Sequence, residues 1–170
     1  MKILLRATFV IAGIALSACT SAERFNNDGT GGAGTGTASG IAGGAQDPTS
    51  PLFFQQSIGD RVLFEVDQST LTPDSQFVLN GQADWLNSNP EYTAILEGHA
   101  DEQGTREYNL ALGARRANAV LEHLVSKGVS ADRMRVISYG KERPLEICSD
   151  ETCYSKNRRA VTVLSAAPSS

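Results

Sequence analysis

The sequence has few of the features that would indicate a nucleic-acid binder. Aromatic residues make up 6% of it, acidic residues outnumber Lys and Arg by 19 to 15, and the pI is about 5.2. Phosphate binding needs a basic patch, and binding of single strands needs aromatic stacking surfaces. The composition therefore excludes nucleic acid as a partner. Beyond the first 18 residues the sequence also contains no apolar run long enough to span a bilayer.

The motifs of hydrolytic catalysis are missing as well. The sequence has no Gly-x-Ser-x-Gly motif, no spacing typical of a metal site and only two histidines, His99 and His123. His123 falls on a predicted helix beside Glu122 and is expected at the surface, whereas His99 is expected to pack rather than to catalyse. We therefore predict a protein that is not an enzyme and that uses no cofactor.

The first residues have the pattern of a bacterial signal peptide. Lys2 and Arg6 give a positive start, residues 7–16 are apolar, and small residues precede Cys19. The tetrapeptide Leu-Ser-Ala-Cys at 16–19 is similar to a lipobox, which predicts cleavage after residue 18 and a covalent lipid on Cys19. An uncleaved anchor helix and an ordinary secretory signal with a chance cysteine are the alternatives.

Residues 19–51 are predicted to form a lipidated, flexible tether. Gly, Ser, Thr and Ala dominate this stretch, and such a composition cannot bury enough apolar surface to offset the entropy lost on ordering. A flexible chain of about thirty residues spans roughly 30 Å on average. The rest of the chain is divided into one folded domain over residues 52–166 and a frayed C-terminus over residues 167–170.

Hydrophobic periodicity predicts alternating strands and helices in the domain. The predicted strands are 61–66, 92–98, 135–139 and 160–164. Thr72 and Pro73 are a typical start for a first helix, and a second helix is predicted to begin near Glu107. We predict an α+β fold with βαβαββ order, in which a mixed four-stranded sheet has its helices packed on one face.

The most informative segment runs from Gly98 to Val120 and reads GHADEQGTREYNLALGARRANAV. Together with GVSADRM, SYGKERP and YSKNRRAV further along the chain, it resembles the OmpA-like wall-binding domains, and among these the peptidoglycan-associated lipoproteins. The resemblance spans roughly residues 62–164. Several long motifs in the same order are far more specific than a single short pattern.

Asp101 and Arg116 are the principal candidate binding residues. A carboxylate on a turn and a guanidinium on the adjoining helix together suit a ligand that carries both an ammonium and a carboxylate. Spacing alone leaves open that both are solvated surface charges. The resemblance implies that Asp101 takes the ammonium, and Arg116 the carboxylate, of diaminopimelate in the stem peptide of peptidoglycan.

Asp67 and Asn109 are secondary candidates for the same site. The resemblance implies that the loop containing Asp67 borders the ligand groove and that Asn109 braces the turn beside Asp101. Ordinary turn chemistry for Asp67 and a capping role at the helix start for Asn109 remain the alternatives.

Cys148 and Cys153 are the two cysteines left once Cys19 is lipidated. In an oxidising compartment this pair predicts a disulfide that pins the loop before the last strand. Two free thiols are the alternative, because the four intervening residues allow the required geometry but do not force it. No further ligands cluster nearby in the sequence, so no metal site is predicted.

The resemblance implies a function at the cell envelope. It implies an outer-membrane lipoprotein whose domain faces the periplasm, binds peptidoglycan without covalent chemistry and belongs to the Tol-Pal system with TolB as a partner. Such a protein supports envelope integrity and constriction during cell division. Thr20 follows Cys19 where an aspartate would imply retention in the inner membrane. The alternative is an OmpA-like lipoprotein that binds the wall outside the Tol-Pal system.

Overall fold

The computed structural model describes residues 44–166, so the predicted signal peptide, Cys19 and residues 167–170 lie outside the described part of the chain. The strands are β1 (Arg61–Leu63), β2 (Tyr92–His99), β3 (Met134–Gly140) and β4 (Arg159–Ala166). The helices are α1 (Pro51–Phe53), α2 (Pro73–Ser88), α3 (Arg106–Ser126) and α4 (Glu151–Asn157). A π-helical turn (Phe54–Gly59) follows α1, and a 3-10 turn (Ala131–Arg133) precedes β3.

The four strands form one mixed sheet in the order β1-β4-β2-β3. β2 and β3 are parallel because α3 makes the long crossover that parallel neighbours need, and β4 is antiparallel to both β1 and β2. Leu96 of β2 and Ala160 of β4 share one core with Leu79 of α2 and Val120 of α3. The predicted α+β class, with helices on one face of a mixed four-stranded sheet, is confirmed.

Both long helices begin with a threonine cap. The Thr72 side chain accepts a hydrogen bond from the N–H of Ser75 at the start of α2, where Pro73 is the first helical residue. Thr105 does the same for α3 by accepting from the N–H of Tyr108. The predicted start of α2 is therefore correct, and the cap of α3 is Thr105 rather than Asn109.

The folded part starts earlier than the predicted boundary at residue 52. Ser50 is 2% exposed, and its hydroxyl donates to the Gly44 carbonyl oxygen while accepting from the N–H of Phe53. The indole N–H of Trp85 on α2 donates to the Pro48 carbonyl oxygen at 2.7 Å. The predicted end of the tether at residue 51 is wrong, because the segment before it supplies the hydrogen-bond partner that the buried indole needs.

Two further boundaries differ from those predicted. β1 ends at Leu63 rather than at residue 66, because its partner β4 begins at Arg159, directly opposite Leu63. Periodicity does not predict α4. It is a short helix capped by Asp150, whose carboxylate accepts hydrogen bonds from the N–H groups of Thr152 and Cys153. Among residues 44–166, no helix combines the length and the apolar character needed to cross a bilayer.

Candidate ligand-binding site

A cavity of about 230 Å³ opens where the loop after β1 meets the turn after β2. It is lined by Val66, Asp67, Asp101, Gln103, Gly104, Tyr108, Asn109 and Leu112. Three of the four predicted ligand-binding residues, Asp67, Asp101 and Asn109, therefore lie around one cavity. The lining has two carboxylates and no Lys or Arg, so it suits a cation.

The turn that carries Asp101 is held in place by its neighbours. Asp101 Oδ1 accepts a hydrogen bond from the N–H of Gln103 at 3.2 Å, and Asn109 Nδ2 donates to the Gln103 carbonyl oxygen at 2.6 Å. Asn109 is 1% exposed, so its amide is committed to this contact. Gly104 has a φ of +86°, which side chains disfavour. Asn109 thus braces the turn and positions Asp101.

Arg116 is completely buried, and its guanidinium lies behind the cavity rather than in its lining. Its Nε donates to the Gln68 carbonyl oxygen at 2.8 Å, its Nη1 to that of His99 at 2.8 Å and its Nη2 to that of Glu65 at 3.1 Å. Burial lowers its pKa to about 10, although the nearby Asp101 carboxylate acts in the opposite direction. The alternative that Arg116 lies on an exposed helix face is therefore wrong. The side chain joins the loop after β1 to the end of β2.

Asp67 and Tyr108 meet at the exposed side of the cavity. The Tyr108 hydroxyl donates a hydrogen bond to Asp67 Oδ1, and this bond raises the pKa of Tyr108. Asp67 has a φ of +57°, the left-handed region that Asp visits more readily than most residues. Arg115 lies over the Tyr108 ring, 5.9 Å from its centroid. The loop after β1 is thereby tied to α3 on the outer side of the cavity, as Arg116 ties it on the inner side.

Arg158 is a site residue that the sequence reasoning misses. It is 3% exposed, and its Nη1 lies 3.3 Å from Oδ2 of Asp101. The same guanidinium pairs with Glu151 and donates to the Phe64 carbonyl oxygen at 3.2 Å. Burial lowers the pKa of Arg158, but the hydrogen bonds to Glu151 and Asp101 outweigh this effect, so the pKa is raised overall. The available signal is the motif SKNRRAV, whose arginines resemble the ordinary charged end of a strand.

A disulfide joins Cys148 and Cys153 across the start of α4. With Asp150, these residues form a group of potential metal ligands in the described part of the chain. Sulfurs joined in a disulfide are not thiolates, however, and thiolates are what bind metal ions. The bond instead fastens the loop before α4 to the helix itself.

His99 is buried beside the site. It is 2% exposed, its ring centroid lies 5.5 Å from that of Tyr139, and neither ring nitrogen has a hydrogen-bond partner among the described residues. Burial and the positive charges of Arg159 and Arg143 lower its pKa to about 4. The ring is therefore neutral at neutral pH and packs against its neighbours. The other histidine, His123, is predicted at the surface, but it is partly buried and forms a hydrogen bond with Asn80.

The side chains of the cavity suit the binding of a charged group. No Ser, Cys, Lys or His lines it, and the hydroxyl group of Tyr108 is bonded to Asp67. Its acidic lining is backed by two buried guanidinium groups, those of Arg116 and Arg158. Such an arrangement can take an ammonium group at the carboxylates and place a carboxylate near the arginines behind them.

Comparison with known proteins gives one family. Residues 63–158 match the OmpA family. The chain is 48% identical over 160 residues to the peptidoglycan-associated lipoprotein of Rhizobium meliloti (strain 1021), covering 94% of this chain and 87% of the relative. It is 41% identical over 156 residues to the peptidoglycan-associated lipoprotein of Haemophilus influenzae, covering 91% of this chain and 94% of the relative. These relatives are named as lipoproteins and not for a reaction, in agreement with the prediction that the protein is not an enzyme.

Solved structures have the same fold. The crystal structure of the peptidoglycan-associated lipoprotein from Burkholderia pseudomallei matches with a TM-score of 0.63 at 38% identity, covering 71% of this chain and 98% of that chain. The C-terminal domain of Helicobacter pylori MotB matches with a TM-score of 0.60 at 21% identity, over 64% of this chain and 86% of that chain, which shows a shared fold alone. The chain belongs to the OmpA family and, within it, to the peptidoglycan-associated lipoproteins.

Proposed function

We propose that the protein is an outer-membrane lipoprotein that binds peptidoglycan non-covalently and ties the membrane to the wall. The observation that carries the binding proposal is the acidic cavity, which brings Asp67 and Asp101 together from two separate loops. At about 230 Å³ it is smaller than the roughly 300–1,000 Å³ of typical small-molecule sites. It therefore suits one amino-acid end group rather than a sugar chain.

The ligand we propose is the free amino-acid end of diaminopimelate in a stem peptide. Its ammonium goes to Asp101, which Asn109 holds in place, and Asp67 contributes a second negative charge at the cavity. Its carboxylate goes to Arg116. A guanidinium has five N–H groups, and the three that bind carbonyl oxygens leave two for a ligand. Because Arg116 does not line the cavity, the loop formed by residues 65–68 must move for this contact to form.

Co-sedimentation with purified wall tests the proposal. Asp101→Asn keeps the shape of the side chain and removes its charge, and removal of one partner of a desolvated charge pair commonly costs about 2–5 kcal/mol. Each 1.4 kcal/mol is a tenfold change in affinity, so we expect at least a tenfold loss. Asp132→Asn is the matched control, because Asp132 is exposed and precedes β3, at the end of the sheet away from Asp101. Equal sedimentation of folded Asp101→Asn and the unaltered protein would rule out this site.

We further propose that the protein belongs to the Tol-Pal system, with TolB as a partner and a role in envelope integrity and constriction during cell division. The resemblance of the motifs around the cavity supports this proposal, as does identity to the relatives along nearly the whole chain. The alternative is an OmpA-like lipoprotein that binds the wall outside this system. Capture of purified TolB by the immobilised protein distinguishes the two, because only a Tol-Pal member should retain it.

The membrane anchor is proposed to be a lipid on Cys19. Metabolic labelling with palmitate should mark the protein, and Cys19→Ala should lose both the label and the membrane association. Cys148→Ala with Cys153→Ala is the control, since it removes the other two cysteines and leaves the lipobox intact. Labelling that persists in Cys19→Ala would show that the anchor lies elsewhere.

A further inference from the structure

Helix α4 and the residue after it touch the turn that carries Asp101 at two points. Asn157, which is fully buried, donates from Nδ2 to Oε1 of Glu102 at 2.9 Å, and Arg158 pairs with Asp101 itself. Neither Arg158 nor Glu151 lines the cavity at Asp101; both line a separate groove of about 740 Å³. A ligand in the cavity therefore does not touch Glu151, and the side chain that connects Glu151 to Asp101 is Arg158.

Arg158 divides its guanidinium between two carboxylates. Glu151 accepts from both Nη atoms, with its Oε2 3.4 Å from Nη1, whereas Asp101 accepts from Nη1 alone at 3.3 Å. The Arg158 and Asp101 side chains are 4% and 11% exposed, and that of Glu151 is 64% exposed. Charges interact more strongly in buried surroundings. The hydrogen bonds that Arg158 donates to Asp101 therefore determine how strongly the Asp101 carboxylate can attract a ligand.

We infer that Glu151 is a positioning residue for the ligand at Asp101. It holds the Arg158 guanidinium so that only Nη1 reaches the Asp101 carboxylate, while both Nη atoms pair with Glu151. Without the Glu151 carboxylate, Arg158 turns both arms of its fork to Asp101 and competes with an incoming ammonium. The loss of the Glu151 charge also weakens the attraction of the cavity for an ammonium group. The identity of the ligand rests on the proposed function, but the placement of Asp101 is a property of the free protein.

The disulfide and the Asp150 cap keep Glu151 within reach of Arg158. α4 has seven residues, and a helix that short is not stable in water by itself. Asp150, the residue before Glu151, caps the helix by accepting hydrogen bonds from the N–H groups of Thr152 and Cys153, and the bond from Cys148 to Cys153 closes the same end of the helix. The loop that leads into α4 thereby helps to position Asp101, through Glu151 and Arg158.

The experiment compares Glu151→Gln with Glu146→Gln in the full-length protein. Glu146 is a matched control, because it lies near α4, is half-exposed and pairs with Lys156 rather than with the site. Binding is measured by calorimetry with a soluble muropeptide whose stem ends in diaminopimelate. We expect Glu151→Gln to weaken binding roughly three- to tenfold, Glu151→Asp to restore part of the affinity and Glu146→Gln to bind like the unaltered protein.

A second measurement needs no ligand. The N–H of Gln103 donates to Asp101 Oδ1 at 3.2 Å, and this bond weakens when Arg158 draws the carboxylate towards itself. Hydrogen exchange at the Gln103 amide should therefore be faster in Glu151→Gln and unchanged in Glu146→Gln. Unchanged exchange in Glu151→Gln overturns the inference, whatever the binding result. If the unaltered protein does not bind the muropeptide, the proposed ligand is wrong, and the exchange result still decides the role of Glu151.

Discussion

Gly98 on β2 and Gly113 on α3 pack so closely that a β-carbon added to Gly98 would lie 1.8 Å from the Gly113 carbonyl oxygen. A β-carbon on Gly113 would in turn lie 2.4 Å from Oγ of Ser138. α3 can approach the sheet this closely only with glycine at both positions. The approach places Arg116 against the end of β2, where it donates to the His99 carbonyl oxygen.

Gly98→Ala should therefore destabilise the domain. The added methyl group cannot be accommodated without moving α3 away from β2, and overpacking of this kind costs up to about 3 kcal/mol in the free energy of unfolding. Urea denaturation followed by circular dichroism measures the change. Gly44→Ala is the control, because a β-carbon at Gly44 meets nothing within 4 Å. A Gly98→Ala variant with unaltered stability would show that the two elements are not in such close contact.

Arg116→Ala should lower stability as well as wall binding. The substitution leaves three carbonyl oxygens without their donor. That of His99 is buried, and an unsatisfied buried group commonly costs about 1–3 kcal/mol. Arg115→Ala, on an exposed face of the same helix, should change stability little. Urea unfolding measures the stability. Co-sedimentation measures wall binding, at a temperature at which the variant is folded. Full stability of Arg116→Ala would contradict the bracing role of this side chain.

Stability should fall as the pH drops from about 6.5 to about 4, and His99 should account for part of the loss. The pKa of His99 is about 4 in the folded chain and about 6.5 when unfolded. Between these values the unfolded chain takes up a proton more readily than the folded chain, so acid favours unfolding. Below about pH 4 the loss in the free energy of unfolding reaches about 3 kcal/mol. Above pH 6.5 the residue is neutral in both states and the effect is absent.

His99→Phe isolates that contribution, because it keeps an aromatic ring and removes the titrating group. The ring nitrogens have no hydrogen-bond partners to lose among the described residues, although Nε2 lies 3.8 Å from the Glu97 carboxylate. Urea unfolding of both proteins at pH 7.5 and pH 4.5 should show a smaller acid loss in His99→Phe. Equal losses would mean that carboxylates alone produce the pH dependence.

Wall that contains lysine in place of diaminopimelate should bind at least tenfold more weakly. Lysine keeps the side-chain ammonium that Asp101 would bind but lacks the second carboxylate that Arg116 would bind. Co-sedimentation with both wall types measures the difference, and Asp101→Asn should bind both poorly. Equal binding of the two walls by the unaltered protein would show that Arg116 does not recognise the ligand carboxylate.

Much of the fold is predictable because its signals are local. Thr72 and Pro73 mark the start of α2 by capping and by fixed backbone geometry, and the periodic apolar residues mark its buried face. α4 is not predictable in this way. It is too short to show a period, and it depends on Asp150 and on the bond between Cys148 and Cys153.

The site is predictable in part. The motif around Asp101 identifies the turn and places Asn109 beside it. The burial of Arg116 is not predictable, because the three carbonyl oxygens that satisfy its charge come from two other segments of the chain. The pairing of Arg158 with Asp101 is likewise a product of the sheet order, which brings the start of β4 next to the end of β2.

The N-terminal segment and the cavity adjoin opposite ends of one strand. At the start of β2, the Tyr92 ring lies 5.1 Å from that of Trp85, whose indole N–H donates to the Pro48 carbonyl oxygen in the segment before α1. At the far end, His99 is followed by the turn that carries Asp101. β2 has eight residues, a length of about 26 Å.

If the chain joins the membrane to the wall as proposed, a pull between the two would run lengthwise along β2. This strand is paired with β4 on one side and with β3 on the other. Tension along β2 shears the hydrogen bonds to both neighbouring strands, so many of them must break together. A force across the strand would break them one at a time. In the proposed function, load applied at Pro48 and Asp101 would therefore act along the axis in which the sheet resists it best.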